Sequence, residues 1–317
     1  MRVLIVCGGN TIGTLPDQPN SFEKKQPFIH EQMVALQKLG VEFDIFLIKQ
    51  KGLKGYLKSW KLLLEKLSNN NFDLIHAIYG LSGFLSILQF KCPVVITFLG
   101  CDINVWNIRI ISRFAMIRSS HNIFVSEMLR KKSLVKSDST VIPFGIDLSK
   151  MSVINKHDAR AIMNLEKDQN ICLFSSKKER FEKNYSLAEK AVNISDNTKL
   201  MELTGQHTKE EVNIIINASD CVLLTSFREG SPQIIKEAMA CGCPIVSTDV
   251  GDVKKIIGDT KGCFIVSYDP HDVADKIIKA IDFSGKTNGR QRIKMLGLDA
   301  NTIAYKVKNV YEKVLNF

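Results

Sequence analysis

Two glutamates held at a fixed spacing in one segment set the chemistry open to this chain. The segment runs Ser226-Phe227-Arg228-Glu229-Gly230-Ser231-Pro232 and on through Glu237 to Cys241-Gly242-Cys243-Pro244-Ile245-Val246. It reads as strand, loop, helix, turn, strand. Ser231 is placed to cap the helix, Pro232 suits its first turn, and Gly242 suits the left-handed position just past its end. Free N–H groups and the helix dipole together make an anion site just ahead of Ser231, fit for a diphosphate. Glu229 and Glu237 are eight positions apart, about 12 Å along a helix axis at 1.5 Å per residue. Carboxylates that far apart can each accept from a different hydroxyl pair of one extended ligand, a sugar at one end and a ribose at the other. The competing reading, two solvated surface glutamates, fits poorly with the loop glycine, the proline and the flanking strands.

Short apolar runs alternating with amphipathic stretches supply the elements that position this segment. Val3 to Cys7, Pro27 to Leu39, Val41 to Ile48, Leu53 to Leu67 and Leu74 to Ala77 read as strand, helix, strand, helix, strand. That order predicts βαβ units and a parallel sheet. A second series opens at Ile171 to Phe174 and continues through Leu200 to Leu203, Cys221 to Leu224, Pro244 to Ser247 and Cys263 to Val266. Between them, Val141 to Asp147 carries a proline and a glycine and leads into polar residues 150 to 156, which marks a linker. Residues 300 to 315 place Ile303, Val307, Val310 and Leu315 at near-helical spacing.

With 317 residues, 45% of them hydrophobic, the chain has enough for two cores. No apolar run approaches the roughly 18 residues needed to span a bilayer, and the apolar start, Arg2 to Cys7, reads as a first buried strand rather than a leader. The eight cysteines lie scattered in apolar runs as reduced, packed thiols, and Cys241 with Cys243 lacks the partners of a zinc site, so no metal is expected. The net charge of +10 is uneven: residues 1–150 hold 19 Lys and Arg against 11 Asp and Glu. This asymmetry points to an anionic partner for the first half, such as a phosphorylated acceptor or an anionic membrane face. Few aromatics accompany the cations, which argues against nucleic acid. Gly8-Gly9 after the first strand lets a ligand phosphate or an acceptor come close, but no dinucleotide fingerprint follows. The helix with Leu53, Leu57, Trp60, Leu64 and Leu67 on one stripe and Lys54, Lys58 and Lys61 off it is basic and amphipathic, either packed on the first sheet or touching membrane. Arg109, Arg113, Arg118 and the Arg130-Lys131-Lys132 run serve anionic lipid or are solvated faces.

Glu229, Glu237 and the Cys241 to Val246 turn resemble the donor-site signature of retaining glycosyltransferases of family 4, the group 1 glycosyltransferases of GT-B fold. The resemblance implies that Glu229 contacts the donor sugar, that Glu237 contacts the ribose, and that Gly230, Ser231 and Pro232 lie near sugar and phosphates. Lys183, in Arg180-Phe181-Glu182-Lys183-Asn184, matches the family's phosphate-binding lysine, and a cation there stabilises charge growing on the leaving diphosphate. A second cation is supplied by Lys178 or Arg180, since Lys177-Lys178 replaces the family's Gly-Arg. Asp73 to Gly80 resembles D-x-I-H-x-H-x-G, keeping His76 and substituting Ile78 for the second histidine. Thr97 to Asp102 resembles T-x-H-G-x-D, keeping Gly100 and Asp102 but placing Leu99 at the histidine. His76, at a strand's C-terminal end, is either a buried structural histidine or a catalytic one. Val125-Ser126-Glu127 and Pro143-Phe144-Gly145-Ile146-Asp147 complete the likeness.

The expectation is therefore an α/β GT-B protein with two Rossmann-like domains facing a cleft. Residues 1–148 form an acceptor domain, residues 149–300 a donor domain, and residues 301–317 a last helix packing on the first domain. The implied activity is retaining transfer of a hexosyl-type group from a UDP- or GDP-linked sugar to a glycan or lipid-diphosphate-linked acceptor, without a cofactor, in bacterial surface-polysaccharide synthesis. The implied place is the cytoplasm, peripheral to the inner face of the membrane. The replaced histidines leave two rivals, a non-catalytic sugar-nucleotide-binding protein and a sugar-nucleotide epimerase.

Overall fold

The computed structural model describes residues 1–8, 22–23, 26–49, 52–134, 136–166, 168–205, 207–283 and 285–316, with residues 53, 54 and 57 in backbone only. Gly9 and the side chains of Leu53, Lys54 and Leu57 thus lie outside the described residues. The chain divides into two compact units, Met1–Gly145 with Ala300–Phe317, and Ile146–Asp299.

Six parallel strands build the first unit: β1 (Arg2–Gly8), β2 (Glu42–Ile48), β3 (Leu74–Ile78), β4 (Val94–Phe98), β5 (His121–Phe124) and β6 (Ser139–Val141). They lie side by side in the order β2-β1-β3-β4-β5-β6. Strands β3, β4 and β5 are buried along their whole length, as continuous apolar runs must be when helices cover both faces of a parallel sheet. Helix Gly52–Asn69 turns Ser59, Leu63 and Leu67 inward and leaves Lys58 and Lys61 exposed, so it packs as a surface helix beside β2. The terminal helix, Ala300–Leu315, belongs to this unit. It buries Ile303, Ala304, Val307, Val310 and Tyr311 against helix Pro27–Gln37, and Lys308 Nζ donates to the carbonyl of Leu39 at 3.1 Å. Tyr311, not Leu315, fills the last inward position.

The second unit repeats the plan with β7 (Asn170–Phe174), β8 (Thr198–Glu202), β9 (Cys221–Leu224), β10 (Ile245–Thr248) and β11 (Cys263–Val266), ordered β11-β10-β9-β7-β8 and all parallel. Cys172, Phe174, Leu223 and Val246 from the sheet meet Leu187, Ala188, Val273 and Ile277 from the helices in one core. Asp220, buried just ahead of β9, takes Arg160 at 2.6 Å and the N–H of Ile171 at 2.7 Å, which closes the lower edge of the sheet. In both units the chain runs outward from the first strand on one side and then crosses to the other. The crossing leaves a crevice at the carboxyl ends of β1 and β3 in the first unit, and of β7 and β9 in the second, the places where ligands bind in open α/β sheets.

Candidate functional site

The β7 and β9 ends of the second unit bring the expected donor residues together. After β7 the chain reaches a single 3-10 turn, Phe181–Lys183, stopped by Asn184 in the left-handed conformation at φ 53°, a position asparagine tolerates better than most residues. After β9, Thr225 contacts the carbonyls of both Lys183 and Asn184, at 3.1 and 3.0 Å, and the Phe227 N–H donates to the carbonyl of Glu182 at 2.9 Å. These bonds stitch two loops that are some forty residues apart in sequence. Across the seam, Lys183 Nζ lies 2.6 Å from Glu229 Oε1, and Ser226 Oγ donates to the same oxygen at 2.8 Å. Both side chains are mostly but not wholly covered, so the pair sits at the wall of the crevice with access to solvent.

Helix Gln233–Cys241 starts just beyond Glu229. Its N-cap is Pro232, with no side-chain cap, and this corrects the expected role of Ser231. Ser231 Oγ instead donates to Asp252 Oδ2 at 2.7 Å, because Pro232 takes the capping position one residue later. No side chain caps the helix start, the Ile235 N–H is answered by the carbonyl of Pro232 at 3.3 Å, and the helix dipole favours an anion at this end. Gly251 explains how closely the neighbouring loop approaches: at φ 61° an added Cβ would lie 2.6 Å from the carbonyl oxygen of Gly230. Gly242 ends the helix at φ 66°, as expected. On the helix, Glu237 pairs with Lys209 at 2.5 Å. Lys209 opens helix Lys209–Ala218, which is held by a Thr208 and Glu211 capping box. It was missed in the sequence because nothing in its local pattern links it to a residue 28 positions on. Buried Lys236 and half-buried Asp252 were missed as well. Lys236 is fully enclosed one residue before Glu237, and burial lowers its pKa to about 8 against the pull of Asp252 and Glu237.

The remaining cation candidates stand apart from the Lys183–Glu229 pair. Arg180 directs its guanidinium to Glu182 Oε1, 2.9 Å from Nε. Lys178 is exposed, and its backbone N–H donates to Glu202 at 3.0 Å.

In the first unit the two expected catalytic residues, His76 and Asp102, are enclosed and hydrogen-bonded within the fold. His76 is buried, with Nδ1 2.6 Å from Tyr311 Oη and Nε2 2.7 Å from Thr97 Oγ1. Both ring nitrogens are used, and burial pulls its pKa down to about 3, so it stays neutral and ties the terminal helix to the sheet. Asp102 is also buried and accepts from the N–H groups of Gly100 at 2.7 Å, Leu99 at 3.0 Å and Gly80 at 3.3 Å. Burial raises its pKa to about 6 against those donors. It fastens the loop after β4 to the loop after β3 and offers no face to a ligand. Gly8 ends β1 at the crevice, but a Cβ there would meet only Ser82 Oγ at 3.9 Å, so glycine is not required by space. Among the described residues no group of three His, Cys, Asp or Glu is arranged to hold a metal.

Residues 159–294, which carry this crevice, match the family model described as "Glycosyl transferases group 1". The matched span lies wholly inside the second unit. Among curated relatives, the chain is 26% identical over 236 residues to "Putative teichuronic acid biosynthesis glycosyltransferase TuaC" of Bacillus subtilis, a match covering 65% of this chain and 61% of that protein. It is 24% identical over 298 residues to "Uncharacterized glycosyltransferase MJ1178" of Methanocaldococcus jannaschii, covering 84% of this chain and 82% of that one. Among solved structures, a sucrose-phosphate synthase from Thermosynechococcus elongatus superposes with a TM-score of 0.81 at 17% identity over 99% of both chains. Anabaena Alr3699/HepE, solved in complex with UDP and glucose, superposes at 0.74 with 14% identity over 99% of this chain and all of that one. The fold is thus that of two Rossmann-like α/β domains with GT-B glycosyltransferases as neighbours, and the Lys183–Glu229 and Lys209–Glu237 pairs lie in the second unit, within the span that matches the family model.

Proposed function

We propose that the chain is a retaining glycosyltransferase that moves a hexosyl-type group from a nucleoside-diphosphate sugar to a glycan or lipid-linked acceptor in bacterial surface-polysaccharide synthesis, on the cytoplasmic side of the membrane. The observation that carries this reading is the Lys183–Glu229 pair at the β7/β9 crossover, next to a helix start with no side-chain cap. Lysine has three donors, so Lys183 can hold Glu229 with one and receive a phosphate oxygen with another. Glu229 then accepts from the donor sugar's hydroxyls, and Glu237, aimed by Lys209, accepts from the ribose. As the bond to the anomeric carbon breaks, negative charge collects on the departing diphosphate, where Lys183 and the helix N–H groups stabilise it more than they did the ground state. The acceptor's proton passes to the leaving phosphate oxygen. A UDP-sugar is the first donor to try, because HepE has been solved with UDP-glucose; a GDP-sugar is the second.

Calorimetry and thermal unfolding with UDP-, GDP- and ADP-sugars test this without knowledge of the acceptor, since a ligand raises the unfolding temperature only by binding the folded state. One nucleotide class should bind the wild type and weaken at least tenfold in both Lys183→Ala and Glu237→Ala. Absence of binding by every donor overturns the reading. Binding without transfer to any acceptor or to water favours a non-catalytic sugar-nucleotide-binding protein.

A further inference from the structure

Helix Trp106–Arg118 in the first unit is apolar on two sides, and only one of them is covered. Its inner side buries Ser112, Ala115 and Met116. Its outer side carries Trp106, Ile110, Phe114 and Ile117 at intervals of four, four and three residues, the spacing of a single helical stripe, and these are 69, 51, 56 and 70% exposed. A soluble surface helix turns its apolar stripe to the core and its polar side to water; here the stripe faces water. Phe90, 85% exposed, extends the patch from the neighbouring loop, where Arg118 lies over its ring at 5.8 Å.

The charges around the patch identify what covers it. Arg109 and Arg118 border the stripe, and no aspartate or glutamate occurs from residue 103 to residue 126. Arg113 Nε donates to the carbonyl of Ser133 at 2.9 Å, which joins the helix to the next one, Glu127–Ser133, with exposed Lys131 and Lys132 at its end, and Lys132 Nζ donates to Asn104 Oδ1, just ahead of the helix, at 2.6 Å. A second protein surface would have to supply matching carboxylates, and a second copy of this chain brings the same cations to a symmetric contact. An anionic bilayer supplies both negative headgroups for the rim and acyl chains for the stripe. The helix has 13 residues, about 20 Å at 1.5 Å per residue, too short to cross a bilayer and long enough to lie in its surface. Tryptophan at one end of the stripe suits the headgroup boundary.

The geometry points to the outer face of helix Trp106–Arg118, with Phe90 and the adjoining cations, as the surface by which the first unit docks onto an anionic lipid bilayer. This docking adds to the glycosyl-transfer reading without resting on it, since it uses none of the donor-site residues. The test is flotation of the full chain, without nucleotide sugar, on vesicles of phosphatidylglycerol and phosphatidylcholine against vesicles of phosphatidylcholine alone. The wild type should float only with the anionic vesicles and be released by salt, with a blue shift in tryptophan emission that Trp106→Phe abolishes. Ile110→Ser with Ile117→Ser should cut the bound fraction roughly tenfold while unfolding temperature and donor binding stay as in the wild type. Arg109→Gln with Lys131→Gln should weaken binding and flatten its salt dependence. Failure to float, flotation indifferent to the isoleucine pair, or a wild-type dimer that the isoleucine pair dissociates would each overturn the assignment. In all three cases the donor-binding measurement would keep its own outcome.

Discussion

The two units share one strand order, yet their crossover points do opposite things with polar side chains. At the β7/β9 ends, Lys183 and Glu229 keep a little of their side chains open to solvent beside a helix start with no capping side chain, and Glu237, buried on that helix, is paired with Lys209. At the β3 and β4 ends, His76 and Asp102 are enclosed and answered from within the fold, by Tyr311 and Thr97 in one case and by three backbone N–H groups in the other. The same topology thus leaves a charged pair open to solvent in one unit and uses polar groups as fasteners in the other. A motif position that matches a family can be kept for either reason, and burial with full hydrogen bonding tells them apart.

Four measurements would sharpen or break this contrast. The largest effect belongs to Lys183→Ala, for which we expect turnover of the donor sugar to fall about 10²- to 10³-fold, the usual loss for one preorganised donor at a developing charge, with little change in unfolding temperature. A fall below tenfold would remove Lys183 from the leaving-group site. Asp102→Ala should leave donor affinity intact and destabilise the first unit by about 3 kcal/mol, since it strands three backbone N–H groups at 1–3 kcal/mol each at most; urea denaturation followed by donor titration separates the two. If donor affinity fell while stability held, Asp102 would belong with the ligand-facing groups.

His76 gives a signed pH effect. Its pKa is about 3 in the fold against about 6.5 in the unfolded chain, so its contribution is fully present above pH 6.5. It is lost as pH falls toward 3, where the unfolded state binds a proton that the fold refuses, at about 1.4 kcal/mol per pH unit. Asp102, raised to about 6, works in the opposite sense over part of that window because the fold binds its proton first. The comparison must therefore be wild type against His76→Gln, and the difference in stability between them should shrink steadily from pH 6 to pH 4. A pH-independent difference would mean that His76 titrates normally and is open to solvent. The smallest effect is expected for Arg180→Ala: with its guanidinium already on Glu182, donor affinity should change by less than about twofold, inside the range of surface substitutions.

Much of the fold is legible in the sequence, since parallel strands buried on both faces leave unbroken apolar runs such as Val3 to Cys7 and Cys221 to Leu224. Glycine past a helix end left its mark at Gly242. Other features depend on distance or direction, which a linear pattern does not carry. Lys209 reaches Glu237 through the fold, Ser231 is displaced as cap by Pro232 one residue on, and His76 turns toward a tyrosine 235 residues away. The stripe from Trp106 to Ile117 is the sharpest case. Helical periodicity reveals that a helix has an apolar side, and reading that side as inward is an assumption this chain breaks.

The bond between His76 and Tyr311 also has a consequence for biosynthesis. A chain made from its N-terminus exposes β1 to β6 early, but helix Ala300–Leu315, which packs on helix Pro27–Gln37 and bonds His76 in β3, emerges only after every residue of the second unit. The first unit to be synthesised is thus the last to be completed. Until then His76 and helix Pro27–Gln37 lack the partner they have in the fold, and closing that contact spans 235 residues, a long-range step of the kind that slows folding and invites chaperone binding.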